Sequence, residues 1–236
     1  MTIGVLGCGN VGAALVELIE RQGDEIAART GLRLQVGRVA VRSTSKERAV
    51  SLAPELLTTD AHAVVTDPDI DLVVEVIGGI EPARELISTA LKGGKPVVTA
   101  NKELLANVGV ELFADADAGV DLLFEAAVAG GIPIMRPLRE SLVGEPVSRV
   151  MGIVNGTTNY SLTKMAEEGW TYAAALAEAQ SLGYAERDPT ADVEGFDAGA
   201  KAAIIATIAF GAKVVAGDVY HEGIASITQT DIDFAA

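Results

Sequence analysis

The chain has 236 residues, of which 49% are apolar and only 4% aromatic, and a formal net charge of −15. That charge excludes nucleic acid and anionic membranes as partners, because both are bound through Lys and Arg that neutralise phosphates. A single cysteine, Cys8, excludes an intrachain disulfide and any cysteine-based metal cluster. No basic, apolar leader precedes the first strand, so a cytoplasmic location is the simplest expectation. The core must be built from Val, Ile, Leu and Ala, the usual palette of a parallel sheet with helices on both faces.

In chain order, Ile3-Gly4-Val5-Leu6 reads as a short strand that ends in Gly7-Cys8-Gly9-Asn10-Val11-Gly12. Apolar positions at helical spacing follow through Glu20. Residues 34–41 are a second strand, and residues 60–66 a weaker one. Residues 70–77 form a clear third strand, closed by Gly78-Gly79. A helix over 82–92 stops at Gly93-Gly94. The next strand, 96–99, carries Ala100-Asn101-Lys102 at its carboxyl end. A helix over 110–118 and a strand over 121–125 complete the first part.

From about residue 130 the pattern changes. Residues 132–142 look helical, 147–155 alternate as a strand of a second sheet, and Gly156-Thr157-Thr158-Asn159 opens another helix. An Ala-rich helix over 172–182 ends at Gly183. An acidic stretch with Glu186, Asp188, Asp192, Glu194 and Asp197 then runs into Lys201 and a long apolar segment, residues 202–216. Gly211 and Lys213 interrupt that segment, which is too short for a membrane span. A last strand is expected around 223–227.

The glycine motif is informative because it follows a strand and opens a helix. One glycine allows the tight turn, the second lets backbone approach a pyrophosphate, and the third lets helix and strand pack closely. Gly7, Gly9, Asn10, Val11 and Gly12 are therefore candidate cofactor-binding residues. An acid at the end of the second strand would favour NAD, whereas arginine accommodates the 2′-phosphate of NADP. Here Arg42 and Ser43 stand there, with Lys46 close behind, which favours NADP and leaves NAD possible. Lys102 lies at a strand's carboxyl end, where open parallel sheets place ligands, and Gly78 and Gly79 border the same crevice. Taken alone, a lysine is usually a solvated surface residue.

Asp197 and Lys201 are four apart at a helix start and share a face. Spacing alone favours an ordinary helical ion pair, although the apolar helix beyond leaves little solvated surface. Asp188 before Pro189 and Glu194 before Gly195 read as turn residues. His62 and His221 lack the partners a triad or metal site needs and read as structural.

Five segments together resemble the homoserine dehydrogenase family: Gly7 to Gly12, Val98-Thr99-Ala100-Asn101-Lys102, Phe124-Glu125 through Gly130-Gly131-Ile132-Pro133, Asn155-Gly156-Thr157-Thr158-Asn159-Tyr160, and Gly183-Tyr184-Ala185-Glu186 through Asp197 to Lys201. That family oxidises L-homoserine reversibly to L-aspartate 4-semialdehyde with NAD or NADP, on the route to threonine, methionine and isoleucine. The resemblance implies that Glu186 and Asp197 bind the substrate ammonium with Asp192 in support. It also implies that Lys102 and Lys201 flank the reacting oxygen, with Lys201 as proton donor and acceptor, and that Gly183 and Glu186 border the cofactor. A monovalent cation, commonly sodium, would be held by the Glu125 side chain and the carbonyls of Val128, Gly130 and Ile132, an oxygen-only set suited to a hard cation.

The fold class implied is α/β: an amino-terminal Rossmann-type parallel sheet over residues 1–130, then an α+β substrate and dimerisation domain over 131–236 that looks incomplete. Family members normally run well past this length, so a truncated catalytic core is expected, whose activity is open and whose partner is a second copy in a homodimer or higher homo-oligomer. Two alternatives stand beside the enzyme: another small amino-acid or semialdehyde dehydrogenase, and an NADP-binding module or inactive fragment without turnover.

Overall fold

The computed structural model describes residues 1–116 and 119–235. The chain divides into two compact units, Met1–Met135 and Arg136–Ala236.

The first unit is a parallel sheet wrapped by helices. Its elements are β1 (Thr2–Leu6), α1 (Asn10–Thr30), β2 (Gln35–Ala40), β3 (Leu57–Thr58), α2 (Ala61–Val65), β4 (Leu72–Glu75), α3 (Ala83–Lys92), β5 (Val97–Thr99), α4 (Lys102–Ala116) and β6 (Leu122–Leu123). The six strands lie in the order β3-β2-β1-β4-β5-β6, and every pairing is parallel. β1 is therefore central, with β2 on one side and β4 on the other, and its carboxyl end meets the place where the strand order reverses. Open α/β sheets bind their ligands at such a reversal. Val5, Leu6, Val39, Val73 and Val97 are fully or almost fully buried, as strands covered on both faces require. Leu86, Ile87 and Leu91 of α3 and Leu104 and Leu112 of α4 cover them.

Two first-unit expectations are corrected. Residues 60–66 are not a strand. Asp60 caps a short helix, its carboxylate accepting the Ala63 N–H at 3.0 Å, and the β-branched pair Val64 and Val65 packs inward from that helix. The helix expected over 110–118 begins earlier, at Lys102, because Asn101 caps it through a bond from the Leu104 N–H; residues 117 and 118 lie outside the described residues.

The second unit is helical among the described residues: α5 (Gly156–Glu168), α6 (Tyr172–Ser181), α7 (Thr190–Val193), α8 (Phe196–Ala209) and α9 (Gln229–Ala235). The helix expected over 132–142 is reduced to one wide turn, Pro137–Ser141. Residues 147–155 run without a strand partner, with Met151 81% and Ile153 77% exposed. A strand needs a neighbour to pair its backbone groups, and the described residues supply none. Residues 223–227 form a turn rather than a strand, with the Ile227 N–H bonded to the Ile224 carbonyl. The apolar run after Lys201 leaves helix at Ala209, before Gly211. No described helix is long and apolar enough to cross a membrane.

Candidate functional site

In the first unit the site begins where β1 stops. Gly7 sits at φ +99°, where a side chain is strained, and its N–H bonds to the Ala40 carbonyl at 2.9 Å. A Cβ on Gly12 would lie 2.2 Å from the Gly7 carbonyl oxygen, so α1 can approach the turn only with glycine there. Gly9 has no heavy atom within 4 Å of where a Cβ would sit. Turn, open approach and close packing thus fall to Gly7, Gly9 and Gly12 respectively, the division of roles that a pyrophosphate cradle requires. α1 starts with no side-chain cap and no acid in its first turn, so its leading N–H groups face outward with exposed Asn10 and Val11. Such a terminus suits an anion. Between Gly7 and Gly9, the Cys8 thiol is pushed above its usual pKa by burial, against a smaller opposing pull from Arg48.

Arg42 lies just past β2, exposed. The loop after it is folded by Arg48, whose guanidinium donates to the carbonyls of Ser43 and, at 2.6 Å, Lys46. A cleft of about 500 Å³ opens beside it, lined by Thr44, Lys46, Arg48, Leu52 and Pro54 among others.

At the ends of β4 and β5 the chain buries a charged residue that sequence reasoning passed over. Glu75 is fully buried. One carboxylate oxygen accepts the N–H groups of Ile77 (2.7 Å) and Gly78 (3.1 Å), and the other accepts the Thr99 hydroxyl at 2.5 Å. Thr99 in turn accepts the Asn101 N–H, and the Asn101 amide donates to the Gly79 carbonyl at 2.7 Å. Asn101 also caps α4, whose first residue is half-buried Lys102. One polar network therefore sets both the Gly78-Gly79 backbone and the start of the lysine's helix. An acid inside the run Val73-Val74-Glu75-Val76 was the available signal, since a buried carboxylate must be paired.

Near the unit's end, Glu125 accepts the Met135 N–H at 3.0 Å. Between them Ala129 adopts φ +51°, rare for a residue with a side chain, and Gly131 φ +87°. These left-handed steps turn successive peptides, so carbonyls and the Glu125 carboxylate share one short loop. The donor set is oxygen only, which fits a hard monovalent cation. No group of three or more His, Cys, Asp or Glu residues suited to a metal ion occurs among the described residues.

The second unit gathers the acidic stretch around the start of α8. Lys201 bonds to Asp197 at 2.6 Å, and its side chain is 16% exposed against 5% for Asp197. Lys201 also donates to the Val154 carbonyl at 2.6 Å. Two of its three N–H bonds are thereby used, and the third has no partner among the described residues. The Asn155 amide donates to Asp192 at 2.7 Å and to Asp197 at 2.9 Å. The Thr157 hydroxyl lies 3.0 Å from the other Asp192 oxygen and 2.7 Å from the Tyr184 carbonyl. Asp197 and Lys201 are thus a buried pair inside a polar network rather than a solvated helix pair.

Glu186 is not joined to this network. Its side chain is exposed, and its carbonyl accepts the Gln180 amide at 3.0 Å. Gly183, at φ +79°, is the turn that carries the chain out of α6 toward it. Asp188 is a turn residue: its carboxylate accepts the Thr190 hydroxyl and N–H, which hold its pKa below the usual value. Glu194 ends α7 before left-handed Gly195. His221 packs edge-on against Phe196, and His62 lies 3.3 Å from Glu85.

The strand order and the glycine turn define a dinucleotide-binding α/β protein. Residues 7–125 match the family profile described as homoserine dehydrogenase, NAD binding domain, and residues 133–236 match the profile described as homoserine dehydrogenase. Homoserine dehydrogenase of Corynebacterium glutamicum is 56% identical over 234 residues, covering 99% of this chain and 52% of the relative. The crystal structure of a homoserine dehydrogenase from Thiobacillus denitrificans superposes with a TM-score of 0.91 at 48% identity, covering all of this chain and 55% of that one. A hyperthermophilic archaeal homoserine dehydrogenase in complex with NADPH matches at TM-score 0.74 and 31% identity, over 89% of this chain and 70% of that one. The chain belongs to the homoserine dehydrogenase family. It spans about half the length of the curated relatives it matches.

Proposed function

We propose that this chain carries the cofactor-binding and proton-transfer residues of an NADP-dependent homoserine dehydrogenase. The reaction is the reversible oxidation of L-homoserine to L-aspartate 4-semialdehyde, a step toward threonine, methionine and isoleucine. The observation that carries the reading is the Lys201–Asp197 pair, buried within the Asn155 and Asp192 network with one lysine N–H direction left over.

The nicotinamide, when bound, accepts the hydride that leaves the alcohol carbon of homoserine. Gly7, Gly9 and Gly12 with the start of α1 would hold the pyrophosphate. Arg42 would meet the 2′-phosphate, and the Gly78-Gly79 backbone would line the same crevice. By the family resemblance, Gly183 and Glu186 would also contribute to cofactor binding. Oxidation of the alcohol also releases a proton from its oxygen, which Lys201 accepts as the neutral amine and returns in reduction. Asp197 orients Lys201 and, with Asp192 and Glu186, receives the substrate ammonium. Lys102 supplies a second cationic group for the reacting oxygen. A sodium-class cation held by Glu125 and the carbonyls of Val128, Gly130 and Ile132, assembly as a homodimer or higher homo-oligomer, and a cytoplasmic location complete the reading.

The test is NADPH formation with L-homoserine, for the chain and for Lys201→Ala, with NADPH affinity measured on both. Turnover that Lys201→Ala abolishes while cofactor affinity stays at the original level supports the assignment. Tight NADPH binding without turnover in the unaltered chain overturns it. Arg42→Ala should lower affinity for NADPH more than for NADH; an unchanged ratio removes Arg42 from the cofactor site.

A further inference from the structure

Asp192 and Asp197 come from different helices, α7 and α8, with Gly195 between them. Two carboxylates drawn together repel, and of the two it is Asp197 that Lys201 bonds. One uncharged group bonds to both of them. The Asn155 amide nitrogen has two protons, and both are used, one on each carboxylate. Its oxygen accepts the Thr158 N–H at 2.9 Å, which fixes which way the amide faces. Reversing it would set an oxygen against two carboxylates and an NH₂ against an N–H. Asn155 is 8% exposed, and the residue before it gives its carbonyl to Lys201.

We propose that Asn155 is a positioning residue for substrate recognition: its amide, forked between Asp192 and Asp197, sets the spacing and direction of the carboxylates that receive the substrate's ammonium group. The proposal rests on the homoserine dehydrogenase reading above. Its chemistry is specific to an amide at this position. A hydroxyl cannot reach both acids with two protons, and a carboxylate would add a third negative group where two already need separating.

Asn155 also caps α5, and this second role can be separated from the first. Ser and Asp cap helices about as well as Asn, so Asn155→Ser and Asn155→Asp keep the cap and lose the fork. In the intact protein Asn155→Ser should therefore stay folded with a modestly lower melting temperature and Asn155→Asp, with its third carboxylate, should melt lower still, while in both the KM for L-homoserine rises about ten-fold or more, as for lost hydrogen bonds to charged groups. The KM for NADP⁺ should not move, and kcat should fall less than the homoserine KM rises. Asn155→Asp should be the worse of the two.

A wild-type homoserine KM in a folded Asn155→Ser or Asn155→Asp variant overturns the proposal and leaves Asn155 a helix cap. Parallel rises in the KM of both substrates overturn it as well, because general loosening then explains the effect. An unaltered protein that neither binds nor turns over L-homoserine overturns the functional reading and this inference with it. Active unaltered protein with insensitive variants overturns the inference alone.

Discussion

Gly12 and Gly9 belong to one glycine motif but face different surroundings, and this separates packing from ligand binding at the scale of one atom. A Cβ at Gly12 would sit 2.2 Å from a backbone oxygen, which no rotamer change relieves. Gly12→Ala must push α1 off the turn, and overpacking of this kind costs about 1–3 kcal/mol or more. Its melting temperature and its NADPH affinity should both fall. At Gly9 a Cβ meets nothing, so Gly9→Ala should leave thermal unfolding unchanged and weaken NADPH binding alone in calorimetric titration. Equal NADPH affinity for Gly9→Ala and the unaltered chain would remove the pyrophosphate from this turn. The motif itself was legible in the sequence because glycine spacing after a strand carries a steric meaning. Glu75 and Asn155 were less so, because their roles depend on partners 24, 37 and 42 residues away. Glu186 shows the reverse case: its motif position implies a substrate role, while its exposed side chain shares no hydrogen bond with Asp192 or Asp197 among the described residues.

Among the elements, those whose pattern answered to local rules were readable, and those that depended on neighbours were not. β1, β4, β5, α3 and α6 lie close to where apolar runs and glycine stops place them. α2 was hidden because Val64 and Val65 favour strands, whereas the Asp60 cap and their burial decide for helix. Residues 147–155 alternate like a strand, but alternation does not provide a pairing partner. In the second unit α5 and α6 are tied by Tyr160, whose hydroxyl donates to Glu178 at 2.5 Å, beside the Lys164–Glu168 pair at 2.7 Å. That bond to Glu178 is the main reason the Tyr160 pKa is raised. A proton held more tightly in the folded state stabilises it fully below the unfolded tyrosine value of about 10 and progressively less as pH rises through the folded value. Tyr160→Phe should therefore melt below the unaltered chain at pH 7 to 9, and the gap should close above about pH 10. A gap that stays constant across that range would show that the hydroxyl's proton contributes nothing. In the first unit the Glu75 network makes a matching prediction. Glu75→Gln removes one acceptor from three donors and should cost about 1–3 kcal/mol in urea unfolding. It should also weaken NADPH binding by loosening the Gly78-Gly79 backbone, and unchanged affinity would confine the network to stability.

Across the whole molecule, the two units differ in what holds each together. The first buries Val5, Leu6, Val16, Val39, Leu86, Ile87, Leu91, Leu104 and Leu112 around a six-stranded sheet. The second buries few large apolar side chains besides Met165 and Ile204, and several of its core positions are alanines: Ala175, Ala179 and Ala203. Meanwhile Val143, Met151, Ile153, Tyr220 and Phe234 stand more than three-quarters exposed. Removing apolar surface from water is the largest favourable contribution to folding, so the first unit has the makings of an independent domain and the second does not. A fragment of residues 1–135 should unfold in urea as one cooperative transition, since its core, its sheet and its glycine turn are all internal. It should also bind NADPH through Gly7, Gly9, Gly12 and Arg42, at lower affinity than the whole chain if Gly183 and Glu186 add contacts. A fragment of residues 136–236 should show helical circular dichroism but a broad transition and binding of hydrophobic dyes, the behaviour of a chain with little fixed packing. A sharp, dye-free transition in the second fragment, or a non-cooperative one in the first, would show that buried side-chain size is the wrong measure of which unit stands alone.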